Sequence, residues 1–217
     1  MAIQDEISRA FQLYEEKAYY DSKTIFEETL QSEMTNADEI QLRFGYGYPL
    51  SALGLVDEAV DNYRKLGMLG ENTNNHEIVS QAIHQIGMVY RESGQYQEAM
   101  TYFLQEQKMI QTHFMENHLF IAANLYELGY THLLDGNEDL AFKYLRGCLT
   151  ESYKSGDPIM QACAKRAMGE FYAKQNNLET ARDYFKESIQ TFNKADDEIG
   201  ALEVVEMLNN IVGNKES

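Results

Sequence analysis

The stretch QAIHQIGMVYRESGQYQEAMTYFLQE, residues 81–106, decides the fold. Ile83, Ile86, Gly87 and Tyr90 recur at helical spacing and stop at Ser93-Gly94, where a glycine suits the left-handed residue after a helix end. A second helical pattern follows at once, through Tyr96, Ala99, Phe103 and Met109. The same break recurs at Gly54, Gly136 and Asn176, so the breaks follow one another at a nearly constant interval of about 40 residues. Alanine follows each break at one fixed offset, as Ala59, Ala99, Ala141 and Ala181. A constant interval of this length marks one supersecondary unit copied several times.

No stretch alternates at period two for long enough to make a strand, so the chain reads as all-α. At 44% hydrophobic it can bury a continuous core, and its two prolines, Pro49 and Pro158, leave long helices uninterrupted. The net charge of −17 repels nucleic-acid backbones and anionic membranes. It reads either as a solvated exterior or as an acidic face for a basic partner. No apolar run reaches the roughly 18 residues that a membrane span needs, and Met1 to Ala10 lacks the form of a secretory signal. Cys148 and Cys163 form no CxxC pair and read as reduced, which suggests a cytoplasmic protein.

Ile86-Gly87-x-x-Tyr90 with Ala99-x-x-x-Phe103 resembles the tetratricopeptide repeat, in which a small residue lets two helices cross and a large one fills the gap beside it. Met168-Gly169-x-x-Tyr172 with Ala181-x-x-x-Phe185 repeats the pattern. Looser copies are Leu128-Gly129-x-x-His132 with Ala141-x-x-x-Leu145, and Tyr46-Gly47-x-x-Leu50 with Ala59-x-x-x-Tyr63. A degenerate first copy is Arg9-Ala10-x-x-Leu13 with Ser22-x-x-x-Phe26. The chain has no Trp, and its repeats exceed the usual length of about 34 residues. In that length they are similar to those of bacterial peptide-sensing regulators, maltose-regulator-type activators and kinesin light chains. The resemblance implies a right-handed superhelical solenoid of antiparallel helix pairs in one domain, 1–217. Its repeats would span 3–35, 37–74, 77–115, 117–155 and 158–195, with a capping helix over 197–212.

Local signals support the parsing. Asp157-Pro158 is an N-cap followed by proline at the first helical position, and Asn137 restarts a helix after Gly136. Asn36-Ala37-Asp38-Glu39 places carboxylates in a first turn. Gly45-Tyr46-Gly47-Tyr48-Pro49 is irregular: Gly47 is the repeat's small residue, but Gly45 and Pro49 have no such role. A proline there implies a kink, with a ligand-contacting irregularity as the alternative.

In the resembled fold the first helix of each pair lines a concave groove. Carried over by register, the lining comprises Ile7, Phe11, Tyr14, Phe44, Tyr48, Gln81, His84, Met88 and Arg91, then Tyr126, Tyr130, Arg166 and Glu170. Aromatic rings and amides with a few cations suit a peptide, with His84, Arg91 and Arg166 as anion contacts; the alternative for each ring is packing between helices. The Lys/Asn carboxylate clamp of some relatives is missing, since its positions carry Ile7 and Phe11, Phe44 and Tyr48, and His84 and Met88.

Catalytic and metal constellations are thin. His113 and His118 do not fall at the four-residue spacing of a helical metal pair, Cys148 falls at a packing position, and no phosphate-cradling loop occurs. The expectation is a non-catalytic scaffold without cofactor or metal that binds a protein or peptide, with a homodimer possible. Two other readings stay open: a peptide-responsive regulator acting on a transcription or phosphorelay partner, and an architectural homo-oligomeric subunit.

Overall fold

The computed structural model describes residues 3–213, with side chains described through 211. Eleven α-helices and no strand occur among the described residues. The chain divides into two compact units, Met1–Met109 and Ile110–Ser217.

The first unit contains α1 (Ile3–Glu15), α2 (Tyr19–Thr29), α3 (Asn36–Ala52), α4 (Val56–Asn72), α5 (His76–Glu92) and most of α6 (Tyr96–His113). Helices α1/α2 and α3/α4 pack as antiparallel pairs, and α5 faces α6 through Gly87 and Phe103. The second unit contains α7 (His118–Asp135), α8 (Glu138–Ser155), α9 (Pro158–Lys174), α10 (Leu178–Lys194) and α11 (Glu198–Gly213). Here α7/α8 and α9/α10 pair, and α11 packs on α10.

Each pair turns on the same device. Gly54, Gly94, Gly136 and Asn176 all have positive φ, from 57° to 84°. At Gly94 the glycine N–H reaches the Arg91 carbonyl and the next N–H, of Gln95, reaches the Tyr90 carbonyl at 2.8 Å. These two bonds satisfy carbonyls that the helix end would otherwise orphan. The pattern recurs at the other three breaks and at Lys17, whose φ is 62°. Lys17 is the turn of the degenerate first copy, hidden in the sequence because a lysine rarely takes that conformation.

Inside each pair, a small residue on the first helix faces a large one on the second, at the same separation along the chain in every copy: Ala10–Phe26, Gly47–Tyr63, Gly87–Phe103, Gly129–Leu145 and Gly169–Phe185. The fit leaves no room for a methyl group in the four glycine copies. A Cβ at Gly47 would stand 2.0 Å from the Tyr63 ring, and one at Gly87 would stand 2.5 Å from Phe103. One helical turn before the large side chain sits a fully buried Ala59, Ala99, Ala141 or Ala181. In the first pair this position is Ser22, which is buried and donates to the Ala10 carbonyl at 2.8 Å.

Helix starts follow the sequence with one addition. Asp157 caps α9 ahead of Pro158, and Asn137 caps α8. Before Asn36 stands Thr35, the N-cap of α3: its Oγ1 accepts from the Asp38 N–H while its own N–H donates to the Asp38 carboxylate, a capping box. Helix α3 continues as helix through Pro49 to Ala52. Gly45 has a packing reason, because a Cβ there would lie 2.8 Å from Phe26 and 2.9 Å from Phe11. It also sits at the position whose carbonyl the Pro49 ring crowds.

Candidate functional site

All the residues assigned to a peptide-binding lining, Ile7 apart, are half-buried, neither sealed in a core nor free in solvent. Ile7 belongs instead to the core with Ala10, Phe26 and Leu42, and is 3% exposed.

In the first unit, α1 and α3 bring four of these residues together. Tyr48 lies at the centre, with ring centroids 6.3 Å from Phe11, 5.8 Å from Tyr14 and 5.6 Å from Phe44, the last nearly edge-on. Such pairs add about 0.5–1.5 kcal/mol beyond burial. Burial pushes the Tyr14 and Tyr48 hydroxyls above their ordinary pKa, so both remain protonated donors. On α5, His84 turns toward Glu106 of α6. Its Nδ1 lies 3.0 and 3.1 Å from the two carboxylate oxygens, and its ring meets the edge of Phe103. His84 is thus engaged by a carboxylate of its own repeat, which displaces the reading of it as an anion contact. Arg91 lies 3.8 Å from the Glu92 carboxylate, and Met88 is half-buried on the same helix.

In the second unit, the repeat interval places side chains in rungs across α7, α9 and α11. Tyr126 and Arg166 stand one interval apart, as do Tyr130 and Glu170. The two tyrosine rings stack at 5.7 Å with an interplanar angle of 13°. The Tyr130 hydroxyl donates to Glu170 at 2.9 Å, and Arg166 Nη2 donates to the Tyr126 hydroxyl at 2.9 Å. Arg166 Nη1 donates to Glu203 of α11 at 3.1 Å, and its Nε lies 3.8 Å from Glu170. Burial raises the Tyr126 hydroxyl pKa, with the Arg166 charge acting against it. Partly exposed ion pairs of this kind stabilise by about 0–1 kcal/mol, so their main effect is to hold the rings and guanidinium in one geometry.

Glu203 is the residue the sequence reading missed. It stands one repeat interval after Cys163, in register with the lining, but α11 read only as a cap. Applying the interval once more would have found it. The consequence is that Arg166 meets two internal carboxylates and is not an open receptor for a third.

Other features are structural in character. Cys148 is fully buried beside Ala122 and Ala164, with Cys163 at the edge of the same cluster. Burial raises both thiol pKa values, for Cys163 against the opposing Arg166 charge, so both remain thiols. His118 Nδ1 lies 2.8 Å from Glu151, which Lys154 also engages, beside an open recess of about 460 Å³. That recess is lined by the start of α7, the residues just before it and the end of α8, and none of the tyrosine–arginine rung residues borders it. Among the described residues no helix is long and apolar enough to cross a membrane, and no group of three metal-ligating side chains forms.

Residues 80–108 match the sequence family described as Tetratricopeptide repeat. No curated protein sequence matches the chain. Among solved structures, the putative kinesin light chain repeats of Podosopora anserina match with a TM-score of 0.66 at 14% identity, over 89% of this chain and 96% of that one. The Rap conjugation gene regulator of the plasmid pLS20, in complex with the Phr* peptide, matches with a TM-score of 0.75 at 15% identity, over 92% of this chain and 55% of that one. Aspartyl phosphate phosphatase F from Bacillus subtilis matches with a TM-score of 0.66 at 14% identity, over 96% of this chain and 59% of that one. The chain therefore spans little more than half the length of the last two. These likenesses establish the fold: an all-α array of long, tetratricopeptide-like repeats.

Proposed function

We propose that this protein is an interaction scaffold whose rungs of first-helix side chains bind an extended peptide or protein segment. The observation that carries the reading is the set of half-buried rings and polar groups on α7 and α9, placed side by side by the repeat interval and fixed by mutual hydrogen bonds. Rigid rings offer contact area at low entropic cost, and fixed polar groups give orientation. The aromatic group around Tyr48 offers a second such surface in the first unit. Both thiols are held protonated by burial, which favours a binding role over nucleophilic chemistry. The net charge of −17 favours a protein ligand over nucleic acid, in an aqueous, cytoplasmic setting.

A second reading, a regulator that answers a peptide and acts on another protein, draws support from the likeness to a Rap regulator solved with its peptide. The exposed Ile199 and Leu202 on α11 give the architectural alternative its footing.

Screening a displayed library of random peptides against the protein tests the scaffold reading. Selected peptides should raise the melting temperature, by about 2.7 kcal/mol of stabilisation at a hundredfold excess over Kd. Combined Tyr126→Ala and Tyr130→Ala should abolish that response where circular dichroism shows the helices intact. Selected peptides that bind this variant unchanged would refute the assignment of the surface.

A further inference from the structure

The charge on the rungs of the second unit points to the chemistry of the ligand. We infer that this surface takes an extended segment rich in lysine or arginine; the inference rests on the scaffold reading above and deepens it.

The resemblance to peptide-binding repeats suggests that Arg166 holds a ligand carboxylate. The structure gives Arg166 other company. Its Nη1 donates to Glu203 and its Nε faces Glu170, so one positive charge already meets two negative ones. Glu206 lies one helical turn beyond Glu203, one repeat interval after Arg166, and is exposed. It makes no ion pair among the described residues. Glu170 and Glu203 thus share the Arg166 guanidinium, and Glu206 adds an exposed carboxylate beside them. An incoming carboxylate would have to displace Glu203 and then lie beside Glu170 and Glu206. An incoming ammonium or guanidinium meets the exposed Glu206 beside Glu203 without having to break the Arg166–Glu203 pair.

Three further observations agree. The tyrosine pair presents π-faces and hydroxyl groups beside these carboxylates, and ring faces attract cations. The surrounding protein adds to the local field rather than opposing it, with 35 acidic against 18 basic residues. Tyr126 accepts from Arg166, which leaves its own O–H free to donate to a backbone carbonyl of an extended segment.

Fluorescence anisotropy with three random peptide pools, one basic, one neutral and one acidic, tests this directly. The basic pool should bind tightest, and its affinity should fall as salt is raised, because screening weakens attraction between exposed charges. Glu203→Gln, Glu206→Gln and Glu170→Gln should each weaken the basic pool by up to about fivefold. Glu179→Gln, an equal loss of charge on the exposed first turn of α10, should leave binding unchanged. Preferential binding of the acidic or neutral pool would overturn the basic-ligand inference while leaving the scaffold reading in place. So would equal weakening by Glu179→Gln, which would reduce the effect to bulk charge. If no pool binds, the scaffold reading itself fails. The salt dependence of the unmodified protein keeps the test valid should a variant fail to fold.

Discussion

At the scale of single residues, the pairing of small and large side chains at one fixed separation is the most constrained feature. Gly87 faces Phe103 with no space for a methyl group, so Gly87→Ala should destabilise by about 1–3 kcal/mol in urea titration. Most of that cost should vanish when Phe103→Ala is also present, because the cavity accepts the methyl; additive effects would mean that the ring is not what the methyl meets. His132 gives a second prediction. Its ring stacks flat on Tyr144, its Nδ1 has no hydrogen-bond partner, and burial lowers its pKa. The unfolded chain therefore takes up this proton first as pH falls. The stability from keeping the ring neutral is complete above the ordinary histidine pKa of about 6.5 and is lost as pH drops below it. Denaturant midpoints at about pH 7.5 and 5.5 should differ less in His132→Gln than in the unmodified protein.

At the scale of helices, the ends were more legible than the middles. Asp157-Pro158 and Asn137 were readable because capping depends on residues adjacent in sequence. Thr35 is equally legible, because its capping box with Asp38 also joins residues close in sequence. Thr35→Ala should cost about 1 kcal/mol, measured as a shift in the urea midpoint. An unchanged midpoint would assign the start of α3 to Asn36 instead. Inside α3, Gly45 looked like a defect because its reason lies in Phe11 and Phe26, distant in sequence and across a helix crossing. No local pattern carries that information. The partner of His84 was hidden for the same reason, because register assigns His84 to a surface but not the Glu106 carboxylate of the next helix that meets it. Glu203, the partner of Arg166, follows instead from the repeat interval.

At the scale of the whole chain, the periodic breaks were sufficient to read an all-α repeat array, because every break is a local backbone event repeated at a near-constant interval. The pairing distance has a consequence for how such a chain tolerates change in length. From small to large residue the separation is the same in all the pairs, from Ala10–Phe26 to Gly169–Phe185. From the large residue to the next small one it varies: shortest from Phe26 to Gly47, longest from Phe103 to Gly129, and intermediate from Tyr63 to Gly87 and from Leu145 to Gly169. Hairpins therefore behave as fixed cassettes and the joints between them as slack. A short insertion after Met115, in the joint that already carries the longest separation, should leave the melting temperature close to that of the parent. The same insertion after Gly136, inside a cassette, should lower it sharply, because Leu145 can no longer reach Gly129. Where length can be added without penalty is thus written in which of two distances is allowed to drift.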